Sequence, residues 1–166
     1  MLEGVKFAVV TISDKGSKGE REDKSGPLLQ EIITKNGGEI VLLKIIPDEK
    51  RIIKKELKKI ANKGVADIIL TTGGTGFSPR DVTPDAKKAV IEKEAPGLAE
   101  AMRSASLKIT PFAMLSRAVA GIRKKTLIVN LPGSPKGAKE NLEIILPALK
   151  HGVEILKGKA QECGKE

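Results

Sequence analysis

Tryptophan and tyrosine are absent from this 166-residue chain, phenylalanine occurs three times, and there is one cysteine and one histidine. Each scarcity excludes something. With no large aromatic to stack on a flat ring, that contact falls to aliphatic side chains, peptide planes, or Phe77 and Phe112. The lone Cys163, in the polar tail 157–166, rules out an intramolecular disulfide and a cysteine-based metal site. His151 sits in a helix-patterned stretch remote from every ligand-type loop, which suits a surface or core position better than a catalytic one. Long apolar runs are missing too: residues 40–46 are interrupted by Lys44, far short of the roughly 20 residues a membrane helix needs, and the N-terminus has no signal-peptide pattern. The expectation is a cytoplasmic protein with no membrane partner, built as one domain over 1–166.

What is present fits that class. Hydrophobic residues make up 40% of the chain, and 30 Lys and Arg against 21 Asp and Glu give a net charge of +9. Such a surface attracts anions, nucleic acid among them. The lysines, however, concentrate in helical segments such as 50–63, where they form a solvated face, and nothing aromatic is interleaved to stack bases. Nucleic acid is therefore not an expected partner.

Apolar runs alternate with helical patterns along the chain. Residues 5–13 read as a strand, 25–35 as a helix with Pro27 in its first turn and Asn36-Gly37-Gly38 as its stop, and 39–46 as a second strand. Residues 49–63 carry Ile52, Ile53, Leu57 and Ile60 at helical spacing, and 66–72 is a third strand. A helix over 83–93 is expected with Thr83 as N-cap and Pro84 at its first position, broken by Ala95-Pro96-Gly97. A helix over 98–107 follows, with Leu98 and Met102 facing the core, then an extended or strand segment 115–122, a strand 126–130, and a helix from about Lys136. Near-continuous apolar strands between helices predict a mostly parallel sheet covered on both faces, a three-layer α/β/α fold of Rossmann type. In such sheets ligands bind beyond the carboxyl ends of the strands.

That rule selects the polar residues at strand ends: Ser13 and Asp14 after the first, which suit a pocket wall and a turn or cap equally, Asp48 after the second, and the glycine-rich Thr72-Gly73-Gly74-Thr75-Gly76 after the third. Three glycines let peptide N–H groups converge on an oxygen-rich ligand, Ser78 adds a hydroxyl, and Arg80 offers either phosphate neutralisation or an ion pair with a neighbouring carboxylate. A carboxylate such as Asp81 beside a phosphate repels it unless a cation lies between them, which points to phosphate plus a divalent metal. Asp48 and Asp81, expected at the mouths of adjacent strands, are the candidates for catalysis and for holding Mg²⁺; singly, each reads better as a helix cap, a reading that the glycine loop beside them weakens. Leu131-Pro132-Gly133-Ser134-Pro135 forms a second ligand-type loop at a helix start. Neither the P-loop pattern nor Gly-x-Gly-x-x-Gly is present.

Several separate motifs then stand in one order: Ile12-Ser13-Asp14, Asp23-Lys24-Ser25-Gly26-Pro27, Ile46-Pro47-Asp48-Glu49, residues 71–86, Ala95-Pro96-Gly97, Leu115-Ser116-Arg117 and residues 130–136. Through them the chain resembles the MogA/MoaB family of molybdopterin adenylyltransferases, which is related to the amino-terminal domain of gephyrin. The resemblance implies a homotrimer that transfers AMP from ATP to the terminal phosphate of molybdopterin, with Mg²⁺, releasing pyrophosphate. It also implies substrate-binding roles for Ser116 and Asn130, and Asp48 and Asp81 align with the family's acidic residues. Molybdate insertion would fall to a separate protein. The MoaB branch of the same superfamily includes members without this activity; the intact Pro47-Asp48-Glu49 and Arg80-Asp81-Val82-Thr83 favour an active enzyme. Two other classes stay open, a non-catalytic pterin- or nucleotide-binding protein and a basic nucleic-acid-binding module.

Overall fold

Strand β1 (Lys6–Ile12) is buried at every position from Phe7 onward in the computed structural model, which describes residues 1–159. A strand apolar on both faces belongs inside a covered sheet. It is followed by α1 (Asp14–Ser17), α2 (Ser25–Lys35), β2 (Glu39–Ile46), α3 (Lys50–Asn62), β3 (Ile68–Thr72), α4 (Thr83–Lys88), β4 (Lys93–Glu94) and α5 (Pro96–Leu107). A 3₁₀ turn (Pro111–Leu115), β5 (Ala120–Arg123), β6 (Thr126–Leu131) and α6 (Pro135–Leu156) complete the described chain.

The six strands form one sheet in the order β2-β1-β3-β6-β5-β4. The first four are parallel; β5 and β4 are antiparallel additions at one edge. Side chains alternate across the sheet, so Phe7, Val9, Leu70 and Val129 pack with α2, α5 and α6, whereas Ala8, Val10, Ile69 and Ile128 pack with α3 and α4. Three layers result, as expected. The chain reverses its direction of travel across the sheet at β1, with β2 on one side and β3 on the other. This is a topological switch point, so a crevice opens beyond the carboxyl ends of β1 and β3.

Local signals account for most elements. In α3, Ile53, Leu57 and Ile60 are buried while the lysines stay outward, and Asn36 with Gly37 at φ 85° ends α2. Four expectations need correction. Strands β2 and β3 are not neighbours, because β1 lies between them, so the loops that carry Asp48 and Asp81 leave strands on either side of β1, and both residues line one cavity. Val82, not Thr83, precedes α4; Thr83 is its first helical residue, and the helix stops at Lys88. Lys93–Glu94 pairs with β5, and α5 already begins at Pro96, whose fixed φ suits a first helical position. The stretch 115–122 is no single strand: the 3₁₀ turn, an extended link and β5 share it. Ser13 takes the cap role that stood open for it, accepting the Gly16 N–H at 3.0 Å at the start of α1. Cys163 and the tail from residue 160 lie outside the described residues.

Candidate active site

The glycine-rich loop leaves β3 against the end of β1. Gly73 (φ 107°) and Gly74 (φ 66°) adopt backbone conformations that L side chains rarely take; a Cβ on the first would strike the Ile12 carbonyl and on the second the Thr83 hydroxyl. Beneath them Asn130 is fully buried, its amide donating to Thr71 Oγ1 (3.2 Å) and to the Gly73 carbonyl (3.4 Å). Its Oδ1 has no hydrogen-bond partner among the described residues. Gly73 donates its own N–H to the Leu131 carbonyl (3.1 Å) and is thereby withdrawn from the expected anion cradle. The N–H groups of Gly74, Thr75 and Gly76 make no hydrogen bond among the described residues and remain available to a ligand. The second loop is stapled alongside: Thr72 Oγ1 donates to the Pro132 carbonyl (2.6 Å) and Ser25 Oγ to the Gly133 carbonyl (2.8 Å).

Two carboxylates flank this loop. Asp48, only 9% exposed, accepts a long hydrogen bond from Thr83 Oγ1 (3.4 Å), while its backbone N–H donates to Asp14 Oδ1 (3.0 Å). It does not cap α3, which has Glu49 in that place and no side-chain cap. Burial, followed by the negative charges of Asp81 and Asp14, pushes the Asp48 carboxyl up to about 6. Asp81 accepts the Ser78 N–H (2.9 Å) instead of capping α4. Ideal Cβ positions on Gly74 and Gly76 fall 3.1 Å from Asp48 Oδ2 and 2.9 Å from Asp81 Oδ2, so each carboxylate lies against a glycine of the loop. Arg80 takes the ion-pair alternative: its guanidinium donates to Asp14 Oδ2 (2.7 Å) and holds that carboxyl below its ordinary value.

Two cavities share Ser134 as a lining residue. One, of about 640 Å³, is lined by Ser13, Asp48, Thr72, Gly73, Gly74, Asp81, Gly133 and Ser134 among the expected residues. The other, of about 510 Å³, takes in Thr75, Gly76, Ser116, Pro132 and Ser134. Asp14, Ser78, Arg80 and Asn130 line neither; they brace the walls. Phe112 borders the second cavity and Phe77 borders neither, although both are exposed.

Sequence reasoning missed several wall residues. Thr11, Arg21, Asp23, Lys24 and Ser25 line the carboxylate cavity; Arg103, Ser106, Thr110, Lys136 and Asn141 line the hydroxyl-rich one. Asp23 had a readable signal, since an Asp three residues before Gly26 at a helix start reads as a cap. It does accept the Gly26 N–H (3.0 Å), and also the Thr11 hydroxyl (2.7 Å). The residues from α5 and α6 had no such signal, because their place depends on how those helices pack together. His151 is on α6 with a half-exposed side chain 3.9 Å from Glu154.

The donor set fits a hard divalent cation. Two carboxylates crowd one another without a cation between them, and Mg²⁺ commonly takes one or two carboxylates plus phosphate oxygens and water. Among the described residues no group of three or more His, Cys, Asp or Glu side chains could hold a metal on its own, so the remaining ligands would come from substrate and solvent. Likewise, among the described residues no helix is long and apolar enough to cross a membrane.

Known proteins are similar to this chain in sequence and fold. A family model described as "Probable molybdopterin binding domain" matches residues 8–151. A molybdopterin adenylyltransferase of Helicobacter pylori is 41% identical over 99% of this chain and 95% of its own length. Among solved structures, the molybdopterin biosynthesis enzyme MoaB of Thermus thermophilus is 46% identical, with a TM-score of 0.88 over 95% of this chain and 99% of that one. The tungsten cofactor synthesizing protein MoaB of Pyrococcus furiosus is 42% identical, with a TM-score of 0.82 over 95% and 98%.

Proposed function

Because the chain belongs to the molybdopterin-binding family that its residues 8–151 match, we propose that it is a molybdopterin adenylyltransferase acting in molybdenum cofactor biosynthesis. The observation that carries the reading is the pair of carboxylates, Asp48 and Asp81, set against a glycine loop with unengaged N–H groups that lines two cavities. An oxygen of the molybdopterin terminal phosphate attacks the α-phosphorus of ATP, the bond to the β-phosphate oxygen breaks, and pyrophosphate leaves. No proton need move, so alignment and charge neutralisation dominate.

The carboxylate cavity suits the metal–nucleotide, and the hydroxyl-rich cavity suits the pterin, whose phosphate would reach Ser134, the residue that lines both, near Lys136. Asp48 and Asp81 would hold Mg²⁺, which when bound neutralises the phosphates and draws reacting oxygens together. Gly74, Thr75 and Gly76 direct their N–H groups to phosphate oxygens, and Asn130 holds the Gly73 carbonyl so that the loop keeps its shape. Lacking Tyr and Trp, the site leaves Phe112 and Leu115 to cover the flat face of the pterin. A homotrimer, a cytoplasmic setting and a separate molybdate-insertion protein complete the proposal.

The test is incubation of purified protein with molybdopterin, Mg²⁺ and ATP labelled at the α-phosphate, beside an Asp81→Asn variant. Label on the pterin with released pyrophosphate, absent in the variant, is the expected result. Tight pterin binding without transfer would assign the chain to the non-catalytic branch.

A further inference from the structure

The loop that carries Asp81 is tied to the body of the protein by a residue on the β5 side of the sheet. Arg117 lies in the extended link after the 3₁₀ turn, beside Ser116. Its backbone N–H donates to the Thr75 carbonyl (2.8 Å), where the loop begins. One guanidinium nitrogen donates to the Asp81 carbonyl (3.2 Å), where the loop ends. The other donates to both oxygens of Asp85 (2.9 and 2.8 Å) in the first turn of α4. One residue therefore ties down both ends of the loop and the helix that follows.

The alternatives are weaker. Asp81's own N–H bonds within the loop, to the Ser78 carbonyl (2.8 Å), and residues 77–80 are exposed. The loop's other long-range ion pair, Arg80 to Asp14, joins side chains 64% and 36% exposed, where solvent and salt compete. A planar fork with fixed donor directions defines a position in a way that a single ammonium cannot. The Arg117–Asp85 pair is itself 36% and 45% exposed, so what it supplies is geometry more than global stability.

We infer that Arg117 is a positioning residue for Asp81: without touching the metal or the nucleotide, it sets where the Asp81 carboxylate meets the metal–nucleotide. The inference rests on the adenylyltransferase reading. Residues that orient a metal-binding carboxylate from behind are commonly worth about 10- to 100-fold in metal affinity.

The experiment titrates the full chain into Mn²⁺–ATP and reads the protein–metal–nucleotide complex by enhancement of water-proton relaxation over Mn²⁺–ATP alone, together with Mg²⁺ dependence of kcat and KM and a urea unfolding curve. Arg117→Lys, which keeps the charge but loses the fork, is expected to weaken Mn²⁺ binding by about tenfold or more. Half-saturating Mg²⁺ should rise in parallel, while kcat at saturating metal and the unfolding midpoint stay close to wild type. Asp85→Asn should move metal affinity the same way by a smaller factor, and added guanidinium should restore part of it in Arg117→Ala. Unchanged metal affinity in Arg117→Lys overturns the inference, as does a loss accounted for by a lowered unfolding midpoint. Wild type that fails to bind Mn²⁺ with ATP overturns the adenylyltransferase reading and the inference with it.

Discussion

Replacing Asp48 by asparagine should make the metal-free protein more stable while removing its activity. The carboxyl is 9% exposed and its pKa rises from 3.8 to about 6, because burial and then the charges of Asp81 and Asp14 oppose ionisation. The folded protein therefore binds this proton more tightly than the unfolded chain does, and stability falls as pH rises between those two values. At about 1.36 kcal/mol per pH unit, the full effect approaches 3 kcal/mol, and water penetration would reduce it to about 1–3 kcal/mol. Asparagine has the same shape, can still accept from Thr83 Oγ1, and never ionises. In chelator, urea unfolding of both proteins should then give similar stabilities at about pH 4, with the variant ahead by about 1–3 kcal/mol at about pH 7.5. Saturating Mg²⁺ and ATP should close the gap from the wild-type side, since a ligand at 100 times its Kd adds about 2.7 kcal/mol to the form that binds it. A variant less stable than wild type at the higher pH in chelator, or a difference independent of pH, would refute the electrostatic account of the site.

Other consequences are equally direct. Gly74→Ala, forced to φ 66° with its Cβ against Thr83, should cost about 1–3 kcal/mol in a thermal or urea melt and abolish label transfer. Lys87 is fully buried with no hydrogen-bond partner for its amine among the described residues, and burial holds its pKa well below 10.5. The folded state thus binds fewer protons than the unfolded one, so Lys87→Met should gain about 1–3 kcal/mol at neutral pH, an advantage that disappears above about pH 10.5. Asn130→Ala should lose about 1–3 kcal/mol and lower kcat, because the Gly73 carbonyl and Thr71 lose their donor. Phe112→Ala, at a residue 75% exposed, should leave stability within about 0.5 kcal/mol but weaken pterin binding in a fluorescence titration.

Particular elements show why some features were legible in the chain and others were not. The helix over 25–35 carries its own start and stop in Pro27 and Asn36-Gly37, and the structure has the same bounds. The two-residue strand β4 carries no such signal: its residues are both exposed, and it is a strand only because Lys93 and Glu94 pair with Ile122 and Gly121. Likewise Asp48 and Asp81 stood out beside a glycine loop, but their helix-cap alternative could be dismissed only by the bonds their carboxylates make. Arg117 was one letter of a motif until its guanidinium was seen reaching Asp81 and Asp85.

The sequence by itself determined the alternation of apolar strands and amphipathic helices, the placement of ligand-type loops at strand ends, and the backbone freedom at Gly73 and Gly74. These follow from periodicity and local sterics, which neighbouring residues decide among themselves. Only the tertiary structure decided that β1 separates β2 from β3, that Arg80 pairs with Asp14, that Asn130 and Arg117 brace the loop, and that Asp48 is buried deeply enough to resist ionisation. Each of these depends on residues distant in the chain arriving at one place, where low dielectric and directional hydrogen bonds make their mutual position count.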